Sequence, residues 1–365
     1  MKKLRLSPGL VIVAVLWLAL TLWGWLKPPG DISQSERRKL AQFPEVSARS
    51  VLSGRFADSF EDYALDQFPV RDGFRMVKSL ASKYLLWQSD NNGIYIWDGY
   101  AAKHEYVLNE NSVRGAGEKL RAIYEEYVKE SGGDVYLTVI PDKGHYLAED
   151  SGHMSIDFDK LVDIICNEMD FAEYIDIEDF LIADDYYRTD SHWRQENIAD
   201  IASAIAETMG AELSGEYEIR DTEKEFLGVY AGQAALPMRG DRIMYLTNSV
   251  ISGCTVYNPE TGKTGGVYNT EGLSGRDPYD FFMYGATPVL YIENPAAEGE
   301  KRLVVFRDSF GSSLIPLMAE GYSHITVADT RYISPELLGD YVDFDGADVL
   351  FMYSSSLLND SGALR

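Results

Sequence analysis

Cysteine is nearly absent from this 365-residue chain, which contains only Cys166 and Cys254. Two cysteines cannot build the multiple-disulfide framework that holds small secreted domains together, so the chain is not of that class. Both residues lie in apolar segments, "DIICNEM" and "ISGCTVY", which are typical of buried thiols that pack as small hydrophobic side chains. The sequence leaves open whether the two thiols pair.

Histidine is scarce as well, with five residues in the chain. Four of them lack the spacing, with cysteine or with one another, that metal sites use: His104, His145, His153 and His324. The sequence therefore predicts no metal ion and no cofactor. The fifth histidine, His192, lies in a motif of another kind.

Basic residues are few relative to acidic ones. The chain has 33 Lys and Arg against 58 Asp and Glu, a formal net charge of −25. Binding to a phosphate backbone depends on Lys and Arg that displace condensed counterions, so this balance argues against a nucleic-acid partner. A neutral or weakly charged substrate, such as a glycan, is compatible with it. At 45% hydrophobic residues the chain can bury a sizeable core.

One long hydrophobic run is present, "PGLVIVAVLWLALTLWGWL" from Pro8 to Leu26, and it contains no charged residue. A helix of about 20 such residues crosses a bilayer. Lys2, Lys3 and Arg5 precede it and favour a cytoplasmic N-terminus. We expect an uncleaved signal anchor: a single pass through the cell membrane, with the main domain extracytoplasmic. A cleaved signal peptide is the alternative.

Strand-like and helix-like segments alternate through most of the remaining chain. The segments "DVYLTVIPDK", "RLVVFRDSF", "HITVADTRYI" and "DVLFMYSSSLL" are nearly continuous apolar runs, typical of strands buried on both faces of a parallel sheet. Together with the intervening helices they predict an α/β fold with a doubly wound parallel sheet. The predicted organisation is an anchor over 1–29, a helical stalk and N-terminal layer over 30–90, a first half of the α/β domain over 91–210, a β-rich insertion over 211–300, and a second half over 301–365.

The stretch "DDYYRTDSHWRQENIADIASAIAETMG" combines a polar cluster with a predicted helix. Its apolar residues share one helical stripe that ends before Gly210: Ile198, Ile201, Ala202, Ile205 and Met209. Asp190 or Ser191 is a natural N-cap for this helix. We expect His192 in its first turn, where the helix dipole keeps the imidazole neutral, and Asp190 is placed to accept the other ring N–H.

Ser309 follows the apolar strand segment in "VVFRDSFGSSLIPLM" and precedes a predicted helix. Ligands bind at the carboxyl ends of strands in an open parallel sheet, and amides at a helix N-terminus can stabilise an oxyanion. Ser309 is therefore a candidate nucleophile. The alternative is that Ser309 or Asp308 only caps the helix.

The segment "YYRTDSHW", followed by "FRDSFGSSLIPLMAEGYSHITVADTRYI" and the closing "DVLFMYSSSLL", resembles the DHHW family. That family is related to the alginate O-acetyltransferases of the AlgJ and AlgX type within the SGNH-hydrolase-like superfamily. The resemblance covers the chain from roughly Asn91 to its end. It implies an SGNH-hydrolase-like fold with Ser309 as nucleophile, His192 as general base and Asp190 as its orienter.

The sequence departs from the family pattern at two positions. Ser191 stands where the name DHHW has a second histidine, and Arg307 precedes Asp308-Ser309 where esterases of the superfamily commonly have glycine.

The resemblance also implies a function: a membrane-anchored extracytoplasmic protein that moves acetyl groups on or off a polysaccharide. As a transferase it would need acetyl groups delivered across the membrane, which implies a multi-pass acyltransferase partner of the MBOAT type. Transfer to water would make it an acetylesterase. The alternatives are a non-catalytic glycan-binding or envelope-assembly protein that keeps the fold, and a structural component of an envelope complex.

Four further residues are candidates for substrate binding by position. Lys143 follows a predicted strand, Arg331 (with Tyr332) and Tyr353 end two others, and Trp193 could stack on a sugar. For each of them, packing or a solvated turn is the competing interpretation.

Overall fold

The computed structural model describes residues 7–297 and 299–365, and it divides the chain into two compact units. The N-terminal unit comprises the residues up to Asn91 together with Ala231–Pro237, and the main unit comprises Asn92–Tyr230 and Met238–Arg365. The residues predicted to orient the N-terminus toward the cytoplasm, Lys2, Lys3 and Arg5, lie outside the described residues.

The α-helices and strands are as follows. The helices are α1 (Pro8–Leu26), α2 (Ala48–Leu52), α3 (Arg55–Asp66), α4 (Arg71–Tyr84), α5 (Glu110–Ile123), α6 (Lys143–Ser151), α7 (Phe158–Glu168), α8 (Ala199–Thr208), α9 (Val229–Ala234), α10 (Ser249–Gly253), α11 (Gly311–Met318), α12 (Leu338–Tyr341) and α13 (Ser355–Asn359). The strands are β1 (Ile32–Ser33), β2 (Arg38–Lys39), β3 (Ile94–Trp97), β4 (Tyr100–Lys103), β5 (Val135–Ile140), β6 (Glu173–Tyr174), β7 (Glu218–Phe226), β8 (Asp241–Thr247), β9 (Thr255–Asn258), β10 (Lys263–Gly265), β11 (Val289–Glu293), β12 (Arg302–Arg307), β13 (His324–Ala328) and β14 (Asp348–Ser354).

The main unit is built on a mixed sheet of eight strands in the order β10-β9-β11-β13-β12-β14-β5-β6. The five strands from β13 to β6 are parallel, whereas β10, β9 and β11 join antiparallel. The α/β class predicted from the alternating segments is confirmed, with a sheet that is rich in parallel strands but not purely parallel.

Both faces of this sheet are covered by hydrophobic cores. Along β12, Leu303 and Val305 belong to one buried cluster, while Val304 and Phe306 belong to the other. This alternation follows from the two-residue period of a strand and explains why the parallel strands are continuous apolar runs.

The segment 211–300, predicted as a β-rich insertion between two halves of the α/β domain, contributes strands to two sheets. Three of its strands, β9, β10 and β11, extend the main sheet at one edge, and only β7 and β8 form a hairpin of their own. It also contains the short helices α9 and α10, which sequence periodicity did not indicate because one or two turns are too short to show a stripe.

The predicted stripe of α8 is confirmed, since Ile198, Ile201 and Ile205 are fully buried. Gly210 follows the helix with a φ of 64°, the left-handed conformation that glycine adopts at little cost. Both cysteines are free thiols in the structure; Cys254 is buried and Cys166 is partly buried.

The N-terminal unit contains the apolar helix α1, whose residues are not buried. Its 19 residues make it about 28 Å long, which matches the hydrocarbon thickness of a bilayer. By length and composition α1 can serve as an anchor or as a signal sequence. Helices α2, α3 and α4 follow it within the same unit.

Candidate functional site

Asp190, His192 and Ser309 meet at the carboxyl edge of the parallel strands. Ser309 Oγ lies 2.8 Å from His192 Nε2, and His192 Nδ1 lies 2.6 Å from Asp190 Oδ1. Asp190 is fully buried, His192 is 8% exposed and Ser309 is partly exposed. The carboxylate accepts the Nδ1–H, which leaves Nε2 free to accept the serine proton. The arrangement can deprotonate Ser309 for nucleophilic attack.

The prediction that His192 lies in the first turn of a helix is wrong. Helix α8 begins at Ala199, and Ile198, not Asp190 or Ser191, is its N-cap. The histidine lies in a loop closed by an antiparallel bridge between Tyr186 and Trp193. The imidazole is therefore oriented by the Asp190 carboxylate rather than by a helix dipole.

Backbone donors from a distant segment hold the Asp190 carboxylate. Its Oδ2 accepts the Val229 N–H at 2.9 Å, and the neighbouring Thr189 hydroxyl accepts the Gly228 N–H at 2.8 Å. Thr189 in turn donates its hydroxyl and its amide to Asp241, at 2.5 and 2.7 Å. The loop is thus fixed from two sides.

Position 228 requires glycine because the backbone there packs closely against Thr189 and Asp190. A Cβ atom there would lie 2.3 Å from Asp190 Cβ, 2.4 Å from Asp190 Cα and 2.4 Å from the Thr189 carbonyl oxygen. Two of these atoms are backbone and cannot move without the loop. Glycine is the residue that lets the two backbones approach. Gly228 is not among the residues predicted from the sequence, where its only signal is a glycine between a strand-like and an aromatic segment.

Two aromatic rings pack against the imidazole of His192. The ring of Tyr279 stacks on His192 with centroids 4.0 Å apart and an interplanar angle of 9°, and Phe310 contacts the same imidazole at 5.1 Å. Burial raises the pKa of Tyr279, which is therefore a neutral phenol, and its hydroxyl donates to Ser313 Oγ at 2.8 Å. No sequence pattern indicates this contact.

Ser309 lies in the short turn between the end of β12 at Arg307 and the start of α11 at Gly311. Asp308 stabilises this turn because its two carboxylate oxygens accept the amides of Phe310 (3.0 Å) and Ser354 (2.8 Å). Within residues 7–297 and 299–365 no acceptor is seen for the Ser309 N–H. This amide is therefore a candidate donor to an oxyanion formed at Ser309.

Arg307 is fully buried beneath this turn. Its Nη1 donates to the Asp308 carbonyl at 3.2 Å, its Nη2 donates to the Gly285 carbonyl at 3.0 Å, and Asp329 Oδ2 lies 3.7 Å from Nη1. Burial lowers the pKa of the guanidinium, and nearby Asp329 opposes this shift. Arg307 thus packs under the turn that carries Ser309.

Lys143 does not face the cleft, which corrects its predicted role in substrate binding. Its side chain is fully buried, and its Nζ donates to the carbonyls of Asp190 (2.5 Å), Tyr187 (2.6 Å) and Arg188 (3.4 Å). Burial lowers the pKa of this amine to about 8, although Asp142 and Asp190 oppose the shift. Lys143 follows a strand as predicted, but its hydrogen bonds stabilise the loop that carries Asp190.

Trp193 and Tyr353 are also buried completely, so neither has a face available for a sugar. The Trp193 indole donates to Ser313 Oγ at 2.9 Å and to the Phe310 carbonyl at 3.1 Å, which ties the histidine loop to α11. The Tyr353 hydroxyl lies 3.1 Å from Thr330 Oγ1. Both predicted substrate-binding roles are wrong, because the two side chains are packed in the protein interior.

Arg331 remains partly exposed beyond the end of β13. Its guanidinium forms two hydrogen bonds to Asp329, at 2.9 and 2.6 Å. Its role in substrate binding stays a prediction. In the described part of the chain, no group of three or more His, Cys, Asp or Glu side chains could hold a metal ion.

Comparisons with known proteins identify the fold. No family model and no curated protein matches the sequence. The structure is similar to that of a DHHW family protein from Eubacterium siraeum, with 22% identity, coverage of 75% of this chain and 94% of that one, and a TM-score of 0.59. It is also similar to Bacillus cereus PatB1 with a sulfonyl adduct, with 18% identity, coverage of 73% and 97%, and a TM-score of 0.57.

A weaker likeness, to the O-acetyltransferase domain of Pseudomonas putida AlgJ, has 12% identity, coverage of 73% and 92%, and a TM-score of 0.47, too low to support an argument. The resemblance to the DHHW family is confirmed at the level of the fold.

Proposed function

We propose that this chain is a membrane-anchored, extracytoplasmic, serine-dependent O-acetyltransferase or acetylesterase that acts on an exopolysaccharide or cell-envelope glycan. The observation that carries the proposal is the hydrogen-bonded series from Asp190 through His192 to Ser309. A serine, a base and a buried carboxylate in this order form an acyl-transfer centre on several unrelated folds.

The reaction proceeds in two steps. His192 Nε2 takes the proton from Ser309 Oγ as this oxygen attacks the acetyl carbonyl, and the carbonyl oxygen gains negative charge next to the Ser309 N–H. Collapse of this intermediate breaks the acetyl ester bond, and His192 returns the proton to the leaving oxygen. Acetyl-Ser309 remains.

In the second step a sugar hydroxyl attacks acetyl-Ser309 while His192 takes its proton. Release of Ser309 with that proton leaves an acetylated sugar. Water in place of the sugar hydroxyl gives acetate and makes the protein an esterase. Asp190 stays ionised, accepts the hydrogen bond from Nδ1–H throughout and stabilises the imidazolium.

Membrane anchoring by α1 and a requirement for an MBOAT-type partner belong to the same proposal. The length and apolar composition of α1 support the first. The second follows from the family resemblance, since an acetyl donor would have to be delivered to the outer side of the membrane.

The test uses the purified full chain in nanodiscs with 4-nitrophenyl acetate and with an acetylated oligosaccharide. We expect Ser309→Ala and His192→Ala to abolish turnover, and wild type to accumulate an acetylated Ser309 detectable by mass spectrometry. Ser312→Ala is the matched control, because this buried serine of α11 is close in sequence but outside the relay.

Equal turnover by wild type and by both catalytic variants would overturn the mechanism. Acetyl groups that appear on an unmodified acceptor decide for transferase over esterase. Glycan binding that survives Ser309→Ala without any acyl-enzyme in wild type would instead support the non-catalytic glycan-binding function.

A further inference from the structure

Helix α4 of the N-terminal unit has its apolar side turned outward. Along one stripe lie Phe74, Val77 and Tyr84, which are 50%, 64% and 62% exposed, and the N-cap residue Val70, which precedes them, is 57% exposed. A helix of a water-soluble domain buries its apolar stripe, so the exposed stripe indicates a non-aqueous neighbour.

The opposite side of α4 is polar, and beyond its first turn it is largely buried. Ser79 is fully buried and donates to the Ala234 carbonyl at 2.8 Å, and Arg75 donates to the Gly232 carbonyl at 2.9 Å. Ser82, on the same side, is 5% exposed. These hydrogen bonds fix the rotation of α4, so the helix cannot turn its apolar stripe inward without leaving polar groups unpaired.

Aromatic contacts connect this stripe to α1. The ring of Phe74 lies 5.4 Å from that of Phe68, and the ring of Phe68 lies 6.2 Å from that of Trp17 in α1. Pro69 packs against the same helix, with its Cδ 3.4 Å from the point that a Cβ on Gly24 would occupy. The stripe is thus continuous with the apolar surface of α1.

The position of the Pro69 contact along α1 sets a depth. Gly24 precedes Leu26 by two residues, which is about 3 Å of helix, whereas Trp17, which Phe68 contacts, is at the middle of α1. When α1 crosses a bilayer of about 30 Å, the turn that contains Phe68 and Pro69 lies beside the half of α1 that ends at Leu26. The start of α4 then lies at the level of the lipid headgroups and upper acyl chains.

The amino-acid composition around α4 also indicates contact with a membrane. After α4 the chain continues with Leu85, Leu86 and Trp87, which are 75%, 66% and 86% exposed, and exposed Trp beside apolar residues is typical of a membrane interface. Residues 31–91 hold nine Lys and Arg against nine Asp and Glu, whereas residues 92–365 hold 20 against 49. The N-terminal unit therefore avoids the negative charge that an anionic lipid surface would repel.

We propose that the apolar stripe of α4, with the Phe68–Val70 turn and the Leu85–Trp87 segment, lies in the membrane leaflet that meets Leu26. The occupant of this surface is lipid. The N-terminal unit is then attached by α4 lying in the interface as well as by α1 crossing the bilayer. This inference depends on the membrane anchoring in the proposed function and not on acetyl transfer.

The experiment places an environment-sensitive fluorophore on single introduced cysteines of the full chain, with Cys166→Ala and Cys254→Ala as background, in nanodiscs that contain one protein each. Val77→Cys reports on the stripe. Asp72→Cys is the matched control because its exposed side chain lies on the opposite side of α4. Leu18→Cys reports on the middle of α1.

We expect the label at Val77→Cys to emit at shorter wavelength and to be quenched by lipids with spin-labelled acyl chains. The label at Asp72→Cys should be quenched by aqueous iodide instead. Tyr84→Cys repeats the measurement two turns further along the stripe and guards against a local effect of one label.

Quenching by iodide at Val77→Cys and Tyr84→Cys, equal to that at Asp72→Cys, would overturn the inference. Protection of both stripe labels from lipid and aqueous quenchers alike would also overturn it, in favour of a protein partner. If Leu18→Cys is not quenched by lipid, the anchor itself fails. Lipid quenching at Leu18→Cys without it at Val77→Cys leaves the anchor intact and refutes only the proposed surface.

Discussion

Replacing Gly228 by alanine should inactivate the protein without touching any reacting atom. The added Cβ would lie 2.3 Å from Asp190 Cβ and 2.4 Å from Asp190 Cα, whereas carbon atoms in contact lie about 3.5 to 4.0 Å apart. Relief of the clash requires the Asp190 loop to move by about 1 Å. The same movement stretches the bond from the Val229 N–H to Asp190 Oδ2, now 2.9 Å, and carries His192 with it.

A misplacement of about 1 Å in a catalytic group lowers the rate by about 100-fold. We therefore expect kcat/KM for 4-nitrophenyl acetate to fall by about that factor, which corresponds to about 2.7 kcal/mol of transition-state free energy. Overpacking of this kind also lowers the free energy of unfolding by about 1 to 3 kcal/mol, measured by denaturant titration.

Gly115→Ala is the matched control. Gly115 lies inside α5 with no atom within 4 Å of the added Cβ, so the change should raise stability by about 0.5 to 1 kcal/mol and leave kcat/KM unchanged. A Gly228→Ala protein with wild-type kcat/KM would refute the argument that Gly228 positions the carboxylate. A loss of stability without a loss of rate would refute it equally.

Three further outcomes are expected. Asp190→Asn should keep the fold but lower kcat by about 10³- to 10⁴-fold, because an amide can present its N–H to Nδ1 and reverse the tautomer of His192. A pre-steady-state burst assay measures this change in rate. An unchanged rate would exclude Asp190 as the residue that orients His192. Tyr279→Phe should retain most activity because the ring still stacks on His192, whereas Tyr279→Leu should lose activity; similar kinetics for both would show that the stack is not needed. Burial lowers the pKa of Lys143 from 10.5 to about 8, so between these pH values the unfolded chain holds a proton that the folded chain lacks. Wild-type stability should therefore gain about 3 kcal/mol across that window from this group, and Lys143→Met should lack the gain when unfolding is followed by denaturant titration at both pH limits.

The buried polar contacts of the site could not be predicted from local pattern. Lys143, Trp193 and Tyr353 were placed near the cleft by their positions at strand ends or beside His192, and each of them does lie close to the relay or its supporting strands. Position along a strand does not specify which way a side chain points or what it meets. In each case the side chain is buried by packing or by hydrogen bonds to backbone carbonyls.

The sequence by itself determined the elements that depend on periodicity and on residue type. The apolar stripe of α8, the buried parallel strands and the charge-free helix α1 follow from spacing along the chain, and the Asp-x-His and Asp-Ser motifs supplied the nucleophile, base and orienter as candidates. Only the tertiary structure decided that Ser309 lies within hydrogen-bond reach of His192, that Gly228 and Val229 hold Asp190, and that Tyr279 supports the imidazole. The physical reason is that these contacts join residues between 39 and 117 positions apart, whose approach depends on strand order and core packing rather than on any local repeat.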